Sequence, residues 1–167
     1  MRTWAIVTAT LFATATLFAS AGALATPASV SVSIAPQLQA KAARTLGTRD
    51  VNALADQLRS RVEQRLARTG AYQDTRLELV LVDVQPNRPT FKQMSDKPGL
   101  SLESFGVGGA RIEGRAIAAD GVETALGYSY YEPDIRQAAM RGTWSDAEWT
   151  IDRFAYRLGR GEGAVRR

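Results

Sequence analysis

The sequence predicts an α+β fold: a two-layer sandwich of about four mostly antiparallel strands with two main helices on one face. Three observations lead there. Strand-type runs rich in Val, Ile, Leu and Tyr occupy 29–34, 77–84, 110–118 and 123–131. Helix-period apolar stripes fill 49–68 and 147–158. Asp120-Gly121 joins the last two strand runs, and a loop that short connects only antiparallel neighbours. The expected order is strand-helix-strand-strand-strand-helix.

Ser29–Ile34 alternates serine with Val30, Val32 and Ile34, the pattern of a half-buried strand, and Pro36 ends it. Leu38, Ala42 and Leu46 follow at four-residue spacing, as in a short helix before Gly47. Over 49–68, Val51, Leu54, Ala55, Leu58, Val62 and Leu66 line one helical stripe; Thr48 or Asp50 suits its cap, and Gly70 its left-handed stop. The opposite face holds Arg61, Arg65 and Arg68, either an anionic-partner patch or a solvated face with Arg59 and Glu63 pairing alongside. Residues 77–84 are apolar on both faces, which predicts a central strand covered on both sides. Asp83, near its end, reads as a turn residue or as a site carboxylate.

Residues 85–109 form the longest irregular segment. Phe91, Met94, Leu100, Leu102 and Phe105 make it too apolar for a linker, so an Ω-like flap that packs its own side chains is expected. The hairpin comes next. A two-residue type I′ turn at Asp120-Gly121 would set Gly114 against Gly127 and Ala116 against Ala125 on one face. Arg115 would then oppose Leu126, Glu113 oppose Tyr128, and Arg111 oppose Tyr130 on the other. The last helix opens with Ser145 and Glu148 as a capping box and Trp144 with Trp149 as a hydrophobic staple; Gly159 closes it.

The first 25 residues indicate where the chain works. Arg2 precedes an apolar run at 4–18, and Ala23-Leu24-Ala25 places small residues where a signal peptidase needs them. The run is short and diluted by threonines, whereas a membrane span needs about 20 apolar residues. The expected layout is a signal peptide at 1–25 cleaved after Ala25, one α+β domain at 26–160, and a flexible tail at 161–167. Without an Arg-Arg pair the general secretion route is favoured, and the expected location is periplasmic or secreted with no transmembrane segment left after cleavage.

Composition narrows the chemistry. The chain has neither cysteine nor histidine, which removes disulfides, thiolate zinc sites, thiol nucleophiles and the usual neutral-pH general base. No metal or cofactor is expected, and no catalytic residue is nominated. Asp83, Glu103, Glu113, Glu132 and Asp134 show no spacing that pairs two acids. The glycine run at 106–109 lacks the third glycine and the following helix of a nucleotide loop. A formal net charge of +4 favours weak attraction to acidic surfaces; with export, it does not point to nucleic acid.

What remains is a binding surface. Arg111, Arg115, Tyr128 and Tyr130 are expected on one hairpin face, with Arg88 and Phe91 contributed by the 85–109 segment; these residue types are common in interface cores. The other reading buries the tyrosines. Gly108-Gly109-Ala110-Arg111, Asp120-Gly121 and residues 144–158, in this order of elements, resemble a broad set of exported bacterial envelope proteins and lipoproteins of unknown function. The resemblance implies an α+β envelope domain and no catalytic residues, although the lipoprotein cysteine is missing. The expected function is a non-enzymatic binding or assembly module for an envelope protein or polymer. The alternatives are a carboxylate-based glycan hydrolase, with two acids about 5–10 Å apart, and a structural subunit of an envelope complex.

Overall fold

Four strands hydrogen-bond in the spatial order β1-β2-β3-β4: Ser29–Ile34, Arg76–Gln85, Gly109–Ile117 and Glu123–Tyr131. The computed structural model describes residues 28–162, so the leader with Ala25, and 163–167 of the tail, lie outside the described residues. β1 runs parallel to β2, while β2–β3 and β3–β4 are antiparallel. The fold is therefore a mixed α+β one. The parallel pair needs a long crossover, supplied by α1 (Pro36–Lys41), a π-helical turn (Ala42–Leu46) and α2 (Thr48–Thr69). Two short helices follow, α3 (Phe91–Asp96) and α4 (Ile135–Ala138), and then α5 (Ser145–Leu158).

One core joins these elements. Leu77, Leu79 and Leu81 of β2, Ile112 of β3 and Leu126 of β4 are buried with Leu58 and Val62 of α2 and Ile151, Phe154 and Leu158 of α5. Each such side chain contributes about 1.5–3 kcal/mol on leaving water. β1 alternates as its sequence predicts, with Val30, Val32 and Ile34 half-buried and the serines exposed. Gly70 ends α2 in the left-handed conformation at φ 66°. At Gly159 the two long helices come so close that a Cβ there would run into Arg65.

The hairpin departs from the sequence expectation by one residue. The Ala118 N–H donates to Val122 O at 3.0 Å and the Gly121 N–H to Ala118 O at 2.9 Å. The loop is thus the three residues Ala119-Asp120-Gly121, with Gly121 at φ 84°. The opposed pairs become Gly114–Leu126, Ile112–Tyr128, Arg111–Ser129 and Ala110–Tyr130. A one-residue slip turns every side chain of a strand over. The slip places Leu126 in the core, whereas a two-residue loop would set it beside Arg115 on the charged face.

Other expectations are corrected locally. β2 is central but not covered on both sides: Glu78, Val80, Val82 and Asp83 are all partly exposed. Val80 lies between Ser33 and Glu113 on that open face, and its branched side chain disguised the alternation. Asp83 belongs to the strand, at a register irregularity after Leu81, and is not a turn residue. α2 is capped by Gly47 without help from Thr48 or Asp50. α5 begins at Ser145 itself, so no capping box forms there; the Ser145 hydroxyl instead accepts from the Gly142 N–H at 2.8 Å. Trp149 turns to Tyr130, at 4.6 Å between ring centroids. Arg59 pairs with Asp56 at 2.8 Å, not with Glu63, because the i,i+3 carboxylate is in reach one turn earlier. No helix of the described residues is long and apolar enough to cross a membrane.

Candidate functional site

Residues 85–109 are held by a buried polar clamp, not by their own apolar side chains. Asn87 and Asp146 are each 1% exposed. The Asn87 amide donates to Asp146 Oδ2 at 2.5 Å, and the Asp146 N–H donates to Asn87 Oδ1 at 3.0 Å. Gly108 N–H adds a bond to Asp146 Oδ2 at 3.3 Å, and a Cβ at Gly108 would collide with the Asn87 side chain. A buried carboxylate needs such compensation. Asp146 has more of it in the first turn of α5, where the helix dipole favours negative charge, and in Arg141 Nε at 3.6 Å. Arg88 extends the clamp: its guanidinium donates to the carbonyls of Arg141 at 2.6 Å, Ala139 at 2.7 Å and Leu102.

The clamp positions α3. Thr90, buried, accepts from the Gln93 N–H at 3.3 Å while the Gln93 side chain accepts from the Thr90 N–H at 3.0 Å. This capping box starts α3. Its first residue, Phe91, is left 79% exposed, and Leu102 across the segment is 55% exposed. The segment is not the self-packed flap expected from sequence: Phe91, Leu102 and Phe105 are exposed and Met94 and Leu100 only half-buried, while hydrogen bonds from Asn87 and Arg88 hold its backbone.

Phe91, Met94 and Leu102 line a cleft of about 290 Å³ together with Leu54, Ala53 and Gln57 of α2, Pro89, Thr90, Thr143 and Trp144. Its charged lining is acidic only: Asp50 from α2 and Glu148 from α5. Neither carboxylate has an ion-pair partner among the described residues. An apolar trough with two free carboxylates on its wall suits an apolar group that also carries a positive charge.

The sequence-nominated binding residues do not form one face. Arg111 and Arg115 lie on the open face of the sheet and are engaged there: Arg111 with Glu113, and Arg115 with Glu78 at 2.7 Å and Glu123 at 3.2 Å. The Arg115 hydrogen bond holds the Glu78 carboxyl below its ordinary range. Tyr128 and Tyr130 point to the other side, toward α5, with Arg157 over the Tyr128 ring at 5.3 Å. The slipped register separates the two pairs. Arg88 spends its donors on backbone carbonyls. Of the six nominated residues, Phe91 alone lines the cleft. Sequence reasoning missed Asp50, Leu54, Leu102, Trp144 and Glu148 as a group, since they come from three separate segments; the isolated apolar residues of 85–109 were the available clue.

The carboxylates considered for hydrolysis have separate partners. Glu113 pairs with Arg111. Asp134 caps α4 and pairs with Arg136 at 2.8 Å, which lowers its pKa. Glu132 accepts from the Tyr130 hydroxyl at 2.9 Å and from the Asp134 N–H at 3.0 Å. Asp83 takes Lys41 Nζ at 2.7 Å and the Tyr131 hydroxyl at 2.8 Å. Burial, and then the hydrogen bond to Asp83, push the Tyr131 phenol well above its ordinary value, away from the range of a general base. Among the described residues no group of three or more acidic side chains could hold a metal ion. The sequence matches no protein-family model and no curated protein.

Proposed function

We propose that the chain is an exported, non-enzymatic binding module of the cell envelope, and that its ligand is an apolar segment of a partner protein carrying a Lys or Arg. The observation that carries this reading is the lining of the cleft: exposed Phe91 and Leu102 beside Asp50 and Glu148, on a chain whose formal charge is +4. Leu54, Met94 and Trp144 take the apolar side chains, and the carboxylates take the cation. Residues 1–25 deliver the chain to the periplasm or beyond. We read the architecture as a two-layer sandwich with α2 and α5 as its helical layer, so the cleft stands on two rigid helices and a clamped loop. A protein partner is preferred over a polymer because the trough is apolar, with only a few polar groups.

Capture from periplasmic extract tests the reading. Phe91→Ser with Leu102→Ser weakens recovery of the wild-type partner about ten-fold or more, as truncated interface anchors do. Asp50→Asn with Glu148→Gln weakens it further at low salt than at high salt. Equal recovery by wild type and both double variants would overturn the proposal.

A further inference from the structure

A second surface, on the outer face of α5, carries the opposite charge. Trp149, Arg153 and Tyr156 of α5, with Arg160 just past its end, recur at the spacing of one helix face. That stripe stands opposite the buried Ile151, Phe154, Ala155 and Leu158. Trp149 is 43% exposed and Tyr156 37%. Guanidinia surround the Tyr156 ring: Arg65 of α2 at 4.9 Å, Arg153 at 5.8 Å and Arg160 at 5.9 Å from its centroid. Arg160 also donates to the Tyr156 hydroxyl at 3.3 Å and pairs with Glu162 at 3.0 Å. Arg65 and Arg153 have no carboxylate partner among the described residues. Asp152, next to the stripe, is taken by Arg61 at 3.2 Å.

The helix dipole accounts for cations in the last turn of α5, but not for Arg153 in its middle or for Arg65 on another helix. Arg153 is exposed, Arg65 is half-buried with its stem against Gly159, and among the described residues no carboxylate pairs with either. Exposed aromatic rings interleaved with unpaired arginines on one helix face are the side chains that settle at an anionic membrane surface.

We propose that this face of α5, with Arg65, docks on an anionic phospholipid surface. Indole and phenol rings settle at headgroup depth because one end is apolar and the other wet. Arginine stems lie along the apolar boundary while the guanidinia reach phosphate. The docking is peripheral and reversible, electrostatic in origin, and weakened by salt. It is independent of the cleft, and it gives a location to the weak attraction for acidic surfaces that the net charge implies.

Sedimentation with vesicles tests it, using the full chain and variants that all carry the same residues 1–25, so that the apolar leader contributes equally throughout. Vesicles containing phosphatidylglycerol bind the wild type more tightly than vesicles of phosphatidylcholine alone. Arg153→Gln, Arg160→Gln and Arg65→Gln each lower that binding roughly five-fold. Because Trp4 and Trp144 also emit, the blue shift of tryptophan emission on binding is compared between wild type and Trp149→Phe, in which it is smaller. Circular dichroism of each variant checks that the fold is kept, and Arg65→Gln reads the same surface from outside α5. Equal binding to the two vesicle types, or unchanged binding in the triple variant, would overturn the proposal. So would capture of soluble polyphosphate by these arginines without vesicle binding, which would mark a polyanion site and not a lipid one.

Discussion

Asn87 and Asp146, 59 residues apart, exchange two hydrogen bonds: Asp146 N–H to Asn87 Oδ1 at 3.0 Å and the Asn87 amide to Asp146 Oδ2 at 2.5 Å. This pair fastens the segment after β2 to the start of α5. The same joint sets where Phe91 and Leu102 stand relative to Trp144 and Glu148, so the cleft's shape depends on it.

Breaking the pair therefore damages both stability and the cleft. Asn87→Ala leaves the buried Asp146 carboxylate short of a donor and costs about 2–4 kcal/mol. Urea denaturation reads the loss. A change below about 0.5 kcal/mol, the level of an indifferent surface position, would remove the clamp from the account.

The cleft residues behave in the opposite way. Phe91→Ser and Leu102→Ser alter stability by less than about 0.5 kcal/mol, because both side chains already stand in water. The same substitutions together weaken partner capture about ten-fold or more. A melting temperature that falls as steeply as for Asn87→Ala would show that these side chains serve the fold.

The strand register makes a sharp contrast between neighbours. Leu126→Ala costs about 2–4 kcal/mol, since Leu126 is buried in the core opposite Gly114 of β3. Ala125→Ser, one residue earlier on the open face, is nearly neutral. Reversed sensitivities would restore the two-residue loop.

Alkaline stability follows from Tyr131. Its folded pKa lies above the ordinary 10.0 because burial and the Asp83 carboxylate disfavour the phenolate. The unfolded phenol therefore ionises first as pH rises. The stabilisation is fully present below about pH 10 and is lost as pH climbs through the folded value. Tyr130, raised by its bond to Glu132, adds to the same limb. Unfolding midpoints measured above about pH 10 fall less steeply in Tyr131→Phe than in wild type. Parallel slopes would mean that Tyr131 ionises freely.

Local patterns in the sequence announced the four strands and the helices α2 and α5, but not the short helices α3 and α4: Ser29–Ile34 and Glu123–Tyr131 keep their expected limits, and Gly70 stops α2. Three things were not legible. The loop length at Asp120-Gly121 could not be told from the pair alone, because a glycine with positive φ serves two-residue and three-residue loops alike; that ambiguity carried Tyr128 and Tyr130 to the wrong face. The helix start at Trp144-Ser145 offered a capping box, yet Asn87 competes for that backbone from 59 residues away. Arg88 looked like a ligand-binding arginine, but its partners are carbonyls of Leu102, Ala139 and Arg141, and long-range backbone acceptors leave no mark in local sequence.

The most direct test of the cleft is site-specific photocrosslinking in intact cells. A photoreactive side chain at Phe91 or Leu102 captures a partner protein, and one at Ser31 or Arg111, on the open sheet face, captures none. Crosslinks from Ser31 or Arg111 with none from Phe91 or Leu102 would contradict the account and move the binding surface to the sheet.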